Sequence, residues 1–493
     1  MKLKIKTLKW TAGAPVAMLN RVTAEKAGIH IHDRISIKTL SKPFKEIKTI
    51  VDLVAGIIRK DELAVSSEIK KRLGLRNGQK VDIVISPIPK SLEYIKKKLN
   101  GKKLRKKQIE EIIDDVVSNS LSEPEIALFV SAMYKNGMNF KEEIYLIKAI
   151  LKSGNTLNLK DKFVVDKHSI GGVAGNRTTP LVVSICNAAG LTIPKTSSRA
   201  ITSAAGTADV IETIARIEFP IEDLKKILRK TKGCMVCGGS LGMVPADSRI
   251  IHVEKMLKID PEAQLLASII AKKLAVNSKY ILIDIPYGKS AKLSKQKAEK
   301  LKKKFVRLGK YFKRELKVVL TDGKQPIGNG VGPVLELLDI IQVLDPRQDG
   351  PIDLEDKSVF LSAQLLEMTG KVEKGKGEDF AKRILHSGKA YDSFKKIIKA
   401  QEGSLKSLNV GKYKKNMLAK RNGKILEIDN KLINNLARSA GCPTDKAAGL
   451  YLHFHVGERV KKGQKLITIY SESKTRLNTA VNFYNKRKPI KLR

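Results

Sequence analysis

The pattern of apolar and polar positions repeats once within the first 88 residues. The stretch LNRVTAEKAGIHIHDRISI (19–37) recurs as VSSEIKKRLGLRNGQKVDI (65–83), with Gly28 matching Gly74. Each copy has apolar residues at helical spacing, a glycine that ends the helix, and an alternating stretch typical of a strand. Two such copies predict a small, pseudo-symmetric β-barrel-like domain over residues 1–88.

The spacing of apolar residues then becomes helical. In EEIIDDVVSNSLSEPEIALFVSAMYKNGMNFKEEIYLIKAILKSG (110–154) they recur at intervals of three and four. Ser122, followed by Glu123 and a proline, is a strong helix start. We predict a helical bundle domain over residues 89–162, joined by a later segment around 252–280.

Strands and helices alternate from residue 163 onward. The stretch PLVVSICNAAG has the length of a helix, whereas YILIDIP (280–286) and LKVVLTDG (316–323) are typical of buried strands. This alternation predicts a large α/β domain over residues 163–345, with a mainly parallel central sheet and ligands at the carboxyl ends of its strands. The remainder, 346–493, ends in strand-like alternation broken by glycine turns and predicts a C-terminal α+β domain.

The composition is strongly basic. Lys and Arg number 95 against 50 Asp and Glu, which gives a formal net charge of +45. Such a surface attracts anions and raises the possibility of nucleic-acid binding. The basic residues are spread along the whole chain, however, and aromatic residues make up only 5% of it. We therefore expect small anionic substrates, and no nucleic-acid partner.

No cofactor, metal or membrane is predicted. The chain has no apolar run of about 18 residues, and its N-terminus, MKLKIKTLKW, has the charge of a leader without the apolar stretch. We expect a soluble, cytoplasmic protein. Cys234 and Cys237 form one CxxC without a second pair, and His453 and His455 are interpreted as structural.

Two segments have the features of an anion pocket. KHSIGGVAGNRTTP (167–180) and TSSRAITSAAGT (196–207) combine glycines with many hydroxyl groups. Glycine lets the backbone approach a ligand, and a following helix start directs N–H groups toward an anion. The first segment is not a Walker A loop, because Lys167 precedes the glycines. Together the two loops predict a pocket for one or two phosphate groups.

A third segment, KIDPEAQLLASIIAKKLA (258–275), carries Asp260 at a predicted helix start. Ser268 and Lys272 lie four residues apart, on one face of that helix. Lys292 follows the predicted strand YILIDIP, where its side chain could reach the same crevice.

These segments together are similar to the thymidine/pyrimidine nucleoside phosphorylase family. The resemblance covers roughly residues 90–493 and rests on KHSIGG, the hydroxyl-rich loop, the Ser-x-x-x-Lys helix and the GERVKKGQ tail. The N-terminal repeat, which looks like a double-psi barrel, and SRAITS in place of the family's GRGLGHT resemble the archaeal AMP phosphorylase branch.

The resemblance implies phosphorolysis of AMP, with CMP and UMP as possible further substrates. Inorganic phosphate would attack C1′ and release the base and ribose 1,5-bisphosphate, in nucleotide salvage or degradation. It also implies an active site in a cleft between the helical and the α/β domain, and a homodimer or larger homo-oligomer. Such an enzyme is a pentosyl-transferring glycosyltransferase.

Matching of motifs carries roles to individual residues. Asp260 is expected to be the general acid that protonates the departing base, with His168 ranked second. The residues expected to bind inorganic phosphate are Lys167, Ser169, Thr178 and Ser197. The residues expected to bind the nucleotide are Gly171, Gly172, Ser198, Arg199, Ala200, Ile201, Thr202, Ser203, Thr207, Ser268 and Lys292.

Two alternatives remain open from the sequence. One is a pyrimidine nucleoside phosphorylase acting on thymidine or uridine; against it, Val253 occupies the position where those enzymes have a base-contacting arginine. The other is a basic nucleic-acid-binding protein with a vestigial phosphorylase fold, whose binding would depend steeply on salt.

Overall fold

The structure is a computed structural model that describes residues 1–8, 15–200, 203–238, 242–405 and 408–493. It divides into two compact units. The first contains Met1–Ser153 and Pro245–Ser268, and the second contains Gly154–Val244 and Ile269–Arg493.

The N-terminal segment of the first unit is a closed six-stranded barrel, with strand order β1-β5-β2-β4-β3-β6. Its two helices end at Gly28 and Gly74, which have matching φ angles of 63° and 69°. The predicted repeat and β-barrel are thus confirmed. The barrel elements are β1 (Lys2–Thr7), β2 (Val16–Asn20), α1 (Arg21–Ala27), β3 (Arg34–Thr39), β4 (Glu46–Val54), β5 (Glu62–Val65), α2 (Ser67–Leu73) and β6 (Lys80–Ile85).

Four helices follow the barrel, as their spacing of apolar residues predicts. Glu125 accepts hydrogen bonds from the backbone N–H and the hydroxyl of Ser122, both at 2.8 Å, and so stabilises the start of α5. Inside the bundle, Lys98 and Glu142 form an ion pair at 2.9 Å with both side chains buried. The helices are α3 (Ser91–Leu99), α4 (Lys106–Ser118), α5 (Glu123–Asn136) and α6 (Phe140–Lys152).

The second unit is built around parallel strands, as predicted. Strands β11, β10 and β7 pair in that order, β8 pairs with β9, and a parallel bridge between Val164 and Thr192 joins the two sets. Helix α10 and the start of α11 return to the first unit. The elements are β7 (Val165–Ser169), α7 (Thr178–Ala188), β8 (Ile193–Ser197), α8 (Thr207–Ile211), α9 (Ile221–Thr231), β9 (Gly233–Cys237), α10 (Pro245–Leu257), α11 (Glu262–Ala275), β10 (Tyr280–Tyr287), α12 (Lys295–Tyr311) and β11 (Glu315–Asp322).

The C-terminal part is α+β. Its antiparallel strands form the sets β12-β15-β17-β13 and β16-β14-β18. The elements are β12 (Gly330–Val331), α13 (Pro333–Leu344), α14 (Ile352–Met368), α15 (Gly377–His386), α16 (Lys389–Ala400), β13 (Tyr413–Leu418), β14 (Gly423–Ile428), α17 (Asn430–Ala440), β15 (Gly449–Leu452), β16 (Arg459–Val460), β17 (Lys465–Ser471), α18 (Lys474–Arg487) and β18 (Ile490–Leu492).

Helices α14 and α16 follow the predicted domain boundary at residue 345, yet they share a core with the parallel sheet. Leu361 and Phe394 belong to the same buried cluster as Leu181 of α7 and Leu282 of β10. The finer division of the chain into four domains stays a prediction. Within the described ranges, no helix is both long and apolar enough to span a membrane.

Candidate active site

The first glycine-rich loop leaves the carboxyl end of β7. Gly171 and Gly172 have φ angles of 80° and 92°, in the region that favours glycine. A Cβ atom on Gly172 would lie 2.5 Å from the Cβ and 2.6 Å from the backbone nitrogen of Lys292. The bare backbone of Gly172 therefore allows the segment after β10, which carries Lys292, to pack against this loop.

Lys167 lies beneath the loop with its side chain buried. Its ammonium group donates to the hydroxyl oxygens of Thr178 at 2.6 Å and Thr179 at 3.4 Å, at the start of α7. Burial lowers the pKa of Lys167 to about 7. The structure therefore brings Lys167 and Thr178 together, next to a helix N-terminus that favours an anion.

Ser169 is the last residue of β7 and lies beside buried Asp284 of β10. Burial alone would raise the pKa of Asp284, but Lys357, Lys167 and the hydroxyls of Thr321 and Ser169 together hold that pKa below its usual range. Asp284 is therefore a carboxylate under the loop, and it provides an acceptor that orients Ser169.

Three buried polar atoms nearby have no hydrogen-bond partner in the described part of the chain. They are the hydroxyl oxygens of Thr196 and Ser197, at the end of β8, and the amide oxygen of Asn176 in the first loop. A buried polar atom without a partner costs about 1–3 kcal/mol, so several in adjacent loops indicate a site for a polar ligand.

The second loop is held by acidic residues that follow it. The backbone N–H groups of Ala200 and Gly206 donate to one oxygen of Asp209 at 2.7 and 2.8 Å. The guanidinium of Arg199 donates to Glu212 at 2.7 Å and to Glu218 at 3.3 Å. Hydrogen bonding to Glu212 raises the pKa of Arg199.

The other residues predicted in this loop are placed as follows. The hydroxyl of Ser203 donates to the carbonyl oxygen of Ala205 at 2.9 Å. Thr207 begins α8 and its hydroxyl oxygen accepts from Arg177 at 3.3 Å. Ser198 precedes Arg199 and is half-buried. Ile201 and Thr202 lie outside the described residues.

Helix α11 carries the remaining predicted residues. It begins at Glu262, two residues after half-buried Asp260. Asp260 and buried Ser268 belong to the first unit. Lys272 belongs to the second, where a Cβ on Gly238, just after β9, would lie 3.9 Å from its Cε atom and 3.5 Å from the Cβ of Thr196.

His168 is surrounded by positive charge. Burial lowers its pKa well below the usual range, and Lys273, Lys195, Lys272 and Lys167 lower it further. The imidazole is therefore neutral at neutral pH.

Comparison with known proteins matches three regions to families. Residues 92–154 match the helical bundle domain of a glycosyl transferase family, residues 161–391 match its a/b domain, and residues 424–491 match the C-terminal domain of pyrimidine nucleoside phosphorylases.

Curated relatives match over almost the whole chain. The AMP phosphorylase of Pyrococcus furiosus is 42% identical, over 100% of this chain and 98% of its own length. That of Thermococcus kodakarensis is 41% identical over the same shares. The chain belongs to the AMP phosphorylase family. The resemblance identified from the sequence motifs is confirmed at this level.

Among solved structures, anthranilate phosphoribosyltransferase from Thermus thermophilus is similar in fold. The TM-score is 0.51 at 17% identity, covering 62% of this chain and 99% of that one. The combination of a helical bundle and an α/β domain, predicted from the spacing of apolar residues, is confirmed by this likeness and by the matched families.

Several buried residues of the site were not predicted from the sequence as site residues. They are Thr196, Asn176, Thr179, Asp166, Lys195, Lys273, Asp284 and Lys357. Thr196, Asn176 and Thr179 stand within the two quoted loops, so the density of polar side chains was the available signal. The sequence has no such signal for the lysines, because 95 basic residues are spread along the chain and only burial in the folded protein shows which of them belong to the site.

Proposed function

We propose that the chain catalyses the phosphorolysis of AMP, in which inorganic phosphate displaces adenine from C1′ and yields ribose 1,5-bisphosphate. CMP and UMP are proposed as further substrates. Membership of the AMP phosphorylase family supports this function. The structural observation that supports this function most strongly lies at the end of β8 and the start of α7. There, Thr196 and Ser197 have buried hydroxyls without partners in the described residues, and Lys167 lies at a helix N-terminus.

The attacking phosphate is proposed to bind Lys167, Ser169, Thr178 and Ser197. Their side chains stand at the carboxyl ends of β7 and β8 and at the start of α7, which is where parallel α/β sheets bind ligands. A dianion there meets the side chain of Lys167, hydroxyl donors and the N–H groups of a helix start, all positioned before it arrives.

The nucleotide is proposed to bind the first loop through Gly171 and Gly172 and the second through residues 198–203 and Thr207. Ser268 and Lys292 complete the proposed set. The hydrogen bonds from Arg199 to Glu212 and Glu218 support an indirect role in nucleotide binding for this side chain. It would hold the loop in shape while backbone groups of the loop contact the nucleotide.

Asp260 is proposed as the general acid. Adenine leaves more readily when a ring nitrogen gains a proton, and a carboxylic acid can supply it. His168 is a poorer candidate, because its neutral imidazole has no acidic proton to donate at neutral pH.

Phosphate-dependent release of free base tests the function. AMP, adenosine, CMP, UMP, uridine and thymidine are incubated with inorganic phosphate, and bases are separated by chromatography, for the natural chain and for Asp260→Asn. We expect adenine from AMP and not from adenosine, and loss of that activity in the folded variant. Release from uridine or thymidine alone would establish the nucleoside phosphorylase instead, and no release from any substrate would contradict both.

We further propose a homo-oligomeric, cytoplasmic enzyme. Apolar side chains of the first unit, among them Phe44 and Ile88, are 69% and 72% exposed, which supports an interface between copies. The thiols of Cys186, Cys234 and Cys442 are free, as expected in a reducing compartment. Light scattering after size-exclusion chromatography tests the oligomer; a monomer at micromolar concentration would refute it.

A further inference from the structure

The floor of the candidate phosphate site contains more buried positive than negative charge. Four lysines from four different elements, β7, β8, α11 and α14, meet there with two aspartates, from β7 and β10. We call the lysines the lysine cluster. Its members are Lys167, Lys195, Lys273 and Lys357, and the carboxylates are those of Asp166 and Asp284.

Asp166 has two of these lysines as partners. The Nζ atom of Lys273 lies 2.8 Å from one carboxylate oxygen, and the Nζ atom of Lys195 lies 3.3 Å from the other. Lys195 also donates to the carbonyl oxygen of Lys167 at 2.9 Å. All three side chains are at most 3% exposed, so one carboxylate faces two ammonium groups away from water.

The carboxylate of Asp284 also has two lysines of the cluster near it. The Nζ atom of Lys357 lies 3.4 Å from its carboxylate, and Lys167 acts on it electrostatically. The Nζ atom of Lys167 has only hydroxyl groups as hydrogen-bond partners among the described residues. With all four lysines protonated, the cluster would carry two positive charges in excess of the two carboxylates.

An excess of buried charge is unfavourable, because a desolvated ion must be paired or lose its charge. The excess of two charges within the cluster, which Asp322 and Asp353 partly offset through their effect on Lys357, is comparable to the charge of the inorganic phosphate dianion. We propose that the empty site leaves the lysine cluster partly deprotonated, and that binding of inorganic phosphate draws roughly one to two protons from solvent onto Lys167 and Lys273. This inference rests on the proposed function, in which Lys167 binds the attacking phosphate.

The pKa values agree with this arrangement. Burial lowers the pKa of Lys167 to about 7 and that of Lys273 to about 7. The charged groups that face Lys167 are Asp284, Lys357, Lys195 and Arg177. Asp166 and Lys195 face Lys273, which also acts on the imidazole of His168.

The direction of the pH dependence follows. Below about pH 7 both lysines already carry their protons, so phosphate binding takes up few more. Above about pH 7 the empty site has lost them, and the anion restores them by raising both pKa values. Phosphate affinity should therefore fall by about tenfold or more per pH unit above this range.

The neighbouring titratable groups do not account for such uptake. The pKa of His168 lies well below its usual range, because burial lowers it and the four surrounding lysines lower it further, and a proton on its ring would add to the excess charge. Arg177 is already paired with the carboxylate of Glu336 at 2.6 Å.

Calorimetric titration of the whole protein with inorganic phosphate tests the inference. Binding enthalpies are measured in two buffers of different ionisation enthalpy, at about pH 6 and about pH 8.5, and their difference gives the protons taken up. We expect uptake of roughly one to two protons at the higher pH. At the lower pH we expect no uptake but release of up to about one proton, because inorganic phosphate there is largely the monoanion and loses its proton when it binds as the dianion. Equal enthalpies in both buffers at the higher pH would overturn the inference.

Variants at Lys273 decide which group takes the proton. Arginine keeps its charge throughout this pH range, so Lys273→Arg should bind phosphate with about half the uptake of the natural chain. Lys273→Met should lose the same share of uptake and also bind more weakly, whereas Lys279→Met, at an exposed position before β10, should change neither. Uptake that is unchanged in both Lys273 variants would show that another group takes the proton, and would overturn the assignment to Lys273.

The outcome is separable from that of the proposed function. Phosphorolysis of AMP without proton uptake refutes the inference and leaves the function standing. Proton uptake with phosphate but no base release from AMP supports the inference and refutes the function.

Discussion

Gly172→Ala is expected to disrupt the contact between the first loop and the segment that carries Lys292. The new Cβ would lie 2.5 Å from the Cβ and 2.6 Å from the backbone nitrogen of Lys292, distances at which backbone or side chain must move. Gly172 also has a φ of 92°, which disfavours any side chain.

Gly171→Ala is the matched control. Gly171 has a φ of 80°, so alanine meets a similar backbone penalty. Apart from its two chain neighbours, however, no atom of the described residues lies within 4 Å of its Cβ position. The backbone penalty is about 1–2 kcal/mol for both variants. The overlap with Lys292 should add about 1–3 kcal/mol for Gly172→Ala alone.

Urea unfolding of the natural chain and both variants measures these costs. We expect Gly172→Ala to lose about 2–5 kcal/mol of unfolding free energy and Gly171→Ala about 1–2 kcal/mol. Because Lys292 is also a proposed nucleotide contact, KM for AMP should rise in Gly172→Ala. Equal unfolding free energies for the two variants would refute the close approach of Lys292 to Gly172.

Two further predictions concern single polar groups. Ser197→Ala should raise KM for phosphate by about 10- to 100-fold with little change in KM for AMP. The reason is that the buried hydroxyl of Ser197 has no partner in the described residues and can donate to the anion. An equal rise in both KM values would contradict this role. Burial raises the pKa of Asp339 to about 7, so its protonated form contributes stability below about pH 4 that is lost as the pH rises through about 7. The free energy of unfolding in urea should therefore decline between about pH 4 and about pH 8, and Asp339→Asn should make that decline smaller by about 4 kcal/mol. An unchanged decline in the variant would count against a protonated carboxyl at Asp339.

Local features of the fold were predictable because short-range physics determines them. The capping box of Ser122 and Glu125 and the glycines that end α1 and α2 depend on residues a few positions apart. The strands YILIDIP and LKVVLTDG are apolar enough to be buried in any parallel sheet, and they form β10 and β11. The two hydroxyl-rich loops were recognisable for the same reason, since each is one continuous segment.

Long-range pairing decided the rest. Asp284 and Lys357 lie on a strand and a helix far apart in the chain, and only packing of α14 against the sheet brings their charges to 3.4 Å. Lys273 follows Lys272 directly, yet packing turns Lys273 to Asp166, where its side chain is fully buried. Periodicity tells which face of an element is apolar, but not which charged side chain of another element that face will meet. The sequence motifs thus determined the family and the two loops, whereas tertiary packing determined the charge beneath them, because a lysine's pKa depends on neighbours that only the folded chain supplies.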